Sequence, residues 1–154
     1  MLTVDQAITE LIKQSSVIVD IETEPVSECS GRVLAQDVIA SIDVPPADNS
    51  AMDGYAYSYQ DALKSRFTLI VSQRIPAGRA PTRLEPGTAA RIFTGAEIPE
   101  GANCVAMQEN CSKIDGSVVV DPKAVIDGNI RPRGQDIASG ATILTKGSHI
   151  RAAE

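Results

Sequence analysis

The sequence predicts an α+β fold that is predominantly β. Three observations carry this expectation. Helical periodicity is confined to the first fifteen or so residues. Short β-branched runs then recur along the chain, each bounded by Gly, Pro, Asn or Asp. Nine prolines and eleven glycines fall almost wholly between those runs, so loops are many and a doubly wound α/β sheet is disfavoured. No GxGxxG and no P-loop lysine motif occurs.

Thr3 followed by Gln6 forms a capping box, and Val4, Ala7, Ile8, Leu11 and Ile12 share one helical face with Asp5, Glu10 and Lys13 opposite. A helix is therefore expected over residues 4–14. The strand candidates are VIVDIE, the RVLAQDVIAS region, RFTLIVSQ, AARIF, CVAMQE, CSKI and SVVV. Between the last two, Asp115-Gly116 predicts a two-residue hairpin, because both residues tolerate the positive φ of a primed turn. After Asn129, GATILTKGSHI reads as a return to the first unit. IRAAE, at 150–154, opens a helical pattern that no Gly, Asn or Pro closes, as in a piece of a longer chain; a frayed terminus is the alternative. No internal repeat is visible.

Composition narrows the function. With a net charge of −6, a pI near 4.8 and dispersed acids, there is no basic patch for a phosphate backbone, so nucleic acid is not an expected partner. The apolar runs are too short to span a bilayer, and MLTVDQAITELIK carries acids where a secretion signal has none. A cytoplasmic protein without membrane contact is expected. Cys29, Cys104 and Cys111 match neither a zinc pattern nor a disulfide framework and read as reduced, partly buried thiols. His149 alone cannot build a histidine metal cage and reads as a surface or strand-flanking residue. Few aromatics and no Trp argue against a base-stacking surface.

The loop PPADNSAMDGYAYS, residues 45–58, holds the main candidate, Asp53, directly before Gly54. Glycine there would let the turn bend tightly and a second group approach the carboxylate. Such an acid suits Mg²⁺ or an ordered oxygen network; an Asx-turn acid bonded only to its own backbone is the plainer reading. Asn49 and Ser50 would brace the loop, while Asp43 and Asp48 would face solvent. Thr94-Gly95-Ala96 follows the apolar AARIF run, so a hydroxyl and adjacent amides would emerge at a strand end and could receive an oxyanion, or simply form a turn. Gln108 and Glu109 end CVAMQE and face either the same cleft or solvent. Arg131 and Arg133 flank Pro132 and could clamp phosphate; a structural pairing is preferred, with Asp136 as partner and Gly134 turning the junction. Gly78 and Arg79 sit in a loop able to cover a cleft.

IDVPPADNSAMDGYAY resembles the signature of the molybdopterin molybdenumtransferase family, known as MoeA in bacteria and as the E domain of gephyrin in animals. ECSGRVLAQDV, IPAG, RIFTGAEIPEGANCVAMQE and NIRPRGQDIASGATILTKG resemble further family blocks in the same order. Tyr57 stands where an aliphatic residue is usual and Asn103 where many relatives have an acid. The resemblance implies domains I and II of a four-domain protein: a small, discontinuous α/β dimerisation domain at 1–45 plus 130–154, and an inserted β-rich, barrel-like domain at 46–129. It implies an enzyme that inserts molybdate into molybdopterin adenylate with Mg²⁺ and releases AMP, in a cleft shared between domain III of one subunit and domain II of its partner. Asp53 and Thr94 would be catalytic, with Asp53 a candidate ligand in a Mg²⁺ or molybdate network. Ser50, Gly95, Ala96, Gln108 and Glu109 would bind substrate. A homodimer is implied, with other molybdenum cofactor biosynthesis proteins as further candidate partners. This piece by itself would be inactive. The alternative is a non-catalytic scaffold or oligomerisation module of the gephyrin type.

Overall fold

The computed structural model describes residues 2–17 and 19–154. Two helices, α1 (Val4–Gln14) and α2 (Tyr59–Lys64), accompany ten strands: β1 (Val38–Ile39), β2 (Asn49–Ser50), β3 (Gly54–Tyr57), β4 (Thr68–Ile75), β5 (Thr88–Ile92), β6 (Cys104–Met107), β7 (Ser112–Ile114), β8 (Ser117–Val119), β9 (Ile130–Arg131) and β10 (Thr142–Leu144). The fold is α+β and mostly β, as the sequence predicts. The chain divides into two compact units, one of residues 1–37 and 144–154, the other of residues 38–143. Residues 38–45 and 130–143 thus lie in the second unit.

In the first unit α1 has the expected bounds. Its capping box is complete: Thr3 Oγ1 accepts from the Gln6 amide at 3.3 Å, and Gln6 Oε1 accepts from the Thr3 amide at 2.9 Å. None of its residues is buried. Val4 is 75% exposed and Leu11 70%, so the apolar stripe is left open among the described residues of this unit. Residues 31–34 run against 147–150 through backbone bonds from Gly31 to Ile150 and from Leu34 to Ser148, with Val33 and His149 bridged. His149 therefore flanks a short ladder. Ile18 of VIVDIE lies outside the described residues; the described remainder forms no strand, because β-branched residues without a partner ladder do not hold one. Nor is 150–154 helical. The Ile150 amide donates to Arg32 instead, and the four residues beyond are too few to nucleate a helix.

The second unit is built on a six-stranded sheet ordered β6-β3-β5-β4-β8-β7 that curls into a half-barrel. All of its pairs are antiparallel except β4 with β5, whose register shifts between Val71 and Gln73. The hairpin turns at Asp115-Gly116, where φ is 37° and 81°. Along β6, β3 and β5 both faces of the sheet are buried, one in the cluster of Tyr57, Leu69 and Val118, the other in that of Ile75, Ile92 and Val105, while β7 is exposed. That is why Ala89 and Ala90, adjacent on β5 and on opposite faces, are both fully buried. α2 was not expected from the pattern. Ser58 caps it by accepting from the Asp61 amide, and Ala62 docks into the core.

Candidate active site

β3 and β5 are antiparallel with Gly54 opposite Ile92, so Asp53, just before β3, comes level with the residues that leave β5. Asp53 Oδ1 accepts from the Thr94 amide at 2.9 Å and from the Thr94 hydroxyl at 2.8 Å. The Asp53 carbonyl accepts from the Gln108 amide at 3.0 Å. The Asx turn within its own loop, the plainer reading of Asp53, is not what holds the carboxylate; Thr94, forty-one residues away, is. Its carboxyl is held below the usual range, first by the Thr94 amide, then by the Thr94 hydroxyl, against partial desolvation and with a smaller contribution from Arg91.

Gly54 is required for a different reason from a sharp bend. Its φ is not positive; instead β6 passes so close that a Cβ would lie 1.9 Å from the Ala106 carbonyl oxygen. The glycine lets β6 pack against the strand that launches Asp53, and thereby brings Gln108 to the Asp53 carbonyl.

The remaining candidates divide. Ser50 is fully buried, with its hydroxyl donating to Met52 O; its amide donates to Ala96 O and its carbonyl accepts from the Gly95 amide. The Ala96 amide donates to Phe93 O. All three amides of Thr94-Gly95-Ala96 are thus engaged inside the protein, and the turn offers no free amide to an oxyanion. The Thr94 hydroxyl proton is also committed to Asp53. What the pair presents outward is acceptors only: Asp53 Oδ2, which no donor reaches among the described residues, and the Thr94 Oγ1 lone pairs. Such a donor set fits a hard cation that keeps most of its water, as Mg²⁺ does. Among the described residues no group of three His, Cys, Asp or Glu is close enough to cage a metal unaided.

Gln108 and Glu109 open a single 3₁₀ turn after β6, and Gln108 Nε2 donates to Glu109 at 3.1 Å. Arg133 pairs with Asp43, not with Asp136, and its amide donates to Asp48. Asp43 does not simply face solvent either. It also accepts from the Ser139 amide at 2.7 Å, and these bonds hold its carboxyl low, Ser139 contributing more than Arg133. Asp136 is drawn off because its amide donates to Val44 O and its side chain stays exposed. Arg131 sits on β9 opposite Asn49. Gly78 and Arg79 border a depression of about 330 Å³ with Pro45, Pro46, Asn49 and Gly95.

Sequence reasoning missed Arg91. Its guanidinium donates to Gly54 O at 2.9 Å and to Gln108 Oε1 at 2.6 Å, and it stacks on Tyr55 and Phe93 at 5.3 and 4.6 Å from the ring centres. The signal was present: a charge inside AARIF, at a position whose β5 neighbours are buried, needs a partner.

The family model described as MoeA N-terminal region (domain I and II) matches residues 2–154. The chain belongs to this MoeA N-terminal family. Among curated relatives, the molybdopterin molybdenumtransferase of Haemophilus influenzae is 38% identical over 152 residues, spanning 97% of this chain and 37% of that protein. Molybdopterin molybdenumtransferase 2 of Mycobacterium tuberculosis is 40% identical over 130 residues, 81% of this chain and 32% of that protein. A solved structure of the molybdopterin biosynthesis MoeA protein of Pyrococcus horikoshii superposes with a TM-score of 0.84 at 30% identity, covering 94% of this chain and 38% of its own. This MoeA N-terminal chain thus spans about a third of the length of the relatives it matches.

Proposed function

We propose that this chain is the domain I and II portion of a molybdopterin molybdenumtransferase, working in molybdenum cofactor biosynthesis. It supplies one wall of a cleft in which molybdate enters adenylated molybdopterin and AMP leaves. The observation that carries the reading is the Asp53–Thr94 pair, a carboxylate fixed by two neutral donors with one oxygen facing out. In this role Asp53 Oδ2 and Thr94 Oγ1 would hold Mg²⁺, which would supply charge neutralisation to phosphoryl and oxyanion groups. Gln108 and Glu109 border the same wall, and Ser50, Gly95 and Ala96 act by holding the turn.

The site is a half-site. The exposed apolar stripe of α1 favours a homodimer, since symmetric pairing is the commonest way to cover such a surface. No described helix is long and apolar enough to cross a membrane, and we place the reaction in the cytoplasm.

Complementation in the full-length enzyme tests this. One subunit carries Asp53→Asn and its partner an inactivated domain III, leaving one cleft with both defects and one with neither. The heterodimer should recover roughly half of wild-type turnover if the cleft is shared across a two-fold pair. No recovery beside active controls would mean that Asp53 acts within its own chain.

A further inference from the structure

We propose that Arg91 is the positioning residue of this site, holding the Asp53–Thr94 pair in place from behind; the inference rests on the functional reading above for its catalytic consequence and on geometry alone for the positioning.

β5 places Arg91 on the face shared by Ala89 and Tyr55, opposite Tyr55 in register. Toward this end of the strands the apolar core runs out, and the face that holds fully buried Tyr57 and Ala89 ends in a guanidinium. Three connections follow. Arg91 Nη1 bonds the carbonyl of Gly54, the residue after Asp53. Arg91 Nη2 bonds Gln108 Oε1, and the Gln108 amide bonds the Asp53 carbonyl. Through its own backbone, Arg91 lies three residues before Thr94, which supplies both donors to Asp53 Oδ1. One planar fork therefore reaches the ends of β3, β5 and β6 at the point where the carboxylate emerges.

The fork itself is locked. Phe93 and Tyr55 lie against it, and a second guanidinium, Arg74, sits 4.5 Å from the centre of the same Phe93 ring. Arg74 and Arg91 are partners in the parallel β4–β5 register, and among the described residues neither forms an ion pair with a carboxylate. Two like charges side by side on neighbouring strands are unfavourable unless something offsets them. The aromatic ring and the acceptors around Arg91 do so, and they fix its orientation. Only a fork with several directed donors can satisfy Gly54 and Gln108 together; a lysine ammonium keeps the charge without that geometry.

The test separates positioning from mere bracing. In this chain, Arg91→Lys and Arg91→Met are compared with wild type by following the Thr94 amide resonance through an acid titration, with melting temperature measured in parallel. The Thr94 amide of the wild type should report protonation of Asp53. If Arg91 positions the pair, both variants should shrink that pH-dependent shift by at least about twofold, and Lys, which retains charge, should not rescue it. A lower melting temperature with an unchanged Thr94 titration in both variants would overturn the proposal, as would full rescue by Lys. In the full-length enzyme, Arg91→Lys should lower kcat by about 10- to 100-fold while KM stays within about twofold, the scale of a misaligned catalytic group. Should Asp53→Asn prove as active as wild type, the functional reading fails while the titration still decides the positioning.

Discussion

Two corners of the second unit pin an aspartate in nearly the same way and to opposite ends. Asp43 accepts from the Ser139 amide and from Arg133; Asp53 accepts from the Thr94 amide and the Thr94 hydroxyl. Both carboxyls are held below the usual range, in each case first by a backbone amide. The difference is the charge of the second partner. Arg133 neutralises Asp43 and ties the 43–48 segment to 133–139, so that acid is a strut. Thr94 is neutral, so Asp53 is fixed in place with its charge unspent. A depressed carboxyl therefore does not by itself mark a site; whether the partners cancel the charge does.

The largest expected effect breaks the two corners apart. In the full-length enzyme Asp53→Asn should lower metal insertion by at least about 100-fold, the scale of losing a group that positions charge in the transition state. Its thermal midpoint should stay close to wild type. Asp43→Asn should do the reverse, with turnover per folded molecule retained and the midpoint lowered. Equal losses of turnover in both variants would show that the distinction by partner charge is wrong.

Next in size is a pair of glycines at the Asp53 corner, Gly54 after Asp53 and Gly95 after Thr94, each limited by a different constraint. Gly54→Ala sets a Cβ 1.9 Å from Ala106 O, and neither strand can yield without breaking the β3–β6 ladder, so about 3 kcal/mol of stability should be lost. Gly95→Ala meets nothing within 4 Å; only its φ of 78° resists, and about 1 kcal/mol is expected. Urea unfolding of the two variants compares them directly. A smaller loss for Gly54→Ala than for Gly95→Ala would mean that β6 does not crowd the strand behind Asp53.

These contrasts also mark what could be read in the chain. Local chemistry was legible: Thr3 and Gln6 specify the start of α1, and Asp115-Gly116 specifies its hairpin, because each signal involves neighbours in sequence. Asp53 and Thr94 could be singled out as strand-end polar residues, and the family blocks made them specific. Their mutual bond could not be read, because it depends on the register of β3 against β5, a fact about two segments separated by α2 and β4. The same holds for Arg133, whose partner Asp43 lies ninety residues away while Asp136 is only the nearer acid in sequence. VIVDIE shows the converse. Its residues have strand propensity, yet the described ones, without a partner among the described residues, form no strand. Arg91 was passed over because it sits in an apolar run, although a charge in such a place is itself the clue.

The smallest effect expected is in acid, and it sharpens the comparison by mechanism. Asp43 and Asp53 both have folded values below their unfolded ones. The unfolded chain therefore binds more protons between those values, and the stability these acids contribute is complete above the ordinary carboxylate range. It is lost as pH falls through their folded values, below about pH 4. Asp61 and Glu154, also held low by bonds to Lys64 and Arg151, form a background common to every variant. Salt separates the two corners. The Asp43–Arg133 ion pair, open to solvent on its Arg133 side, is weakened at an ionic strength of about 1 M, where the Debye length is about 3 Å, whereas the neutral donors on Asp53 are much less affected. In Asp43→Asn, acid unfolding should lose part of its salt dependence; in Asp53→Asn that dependence should remain while the pH of the transition shifts. If the two variants respond to salt alike, Arg133 is not what neutralises Asp43, and the strut and the site have been told apart on the wrong ground.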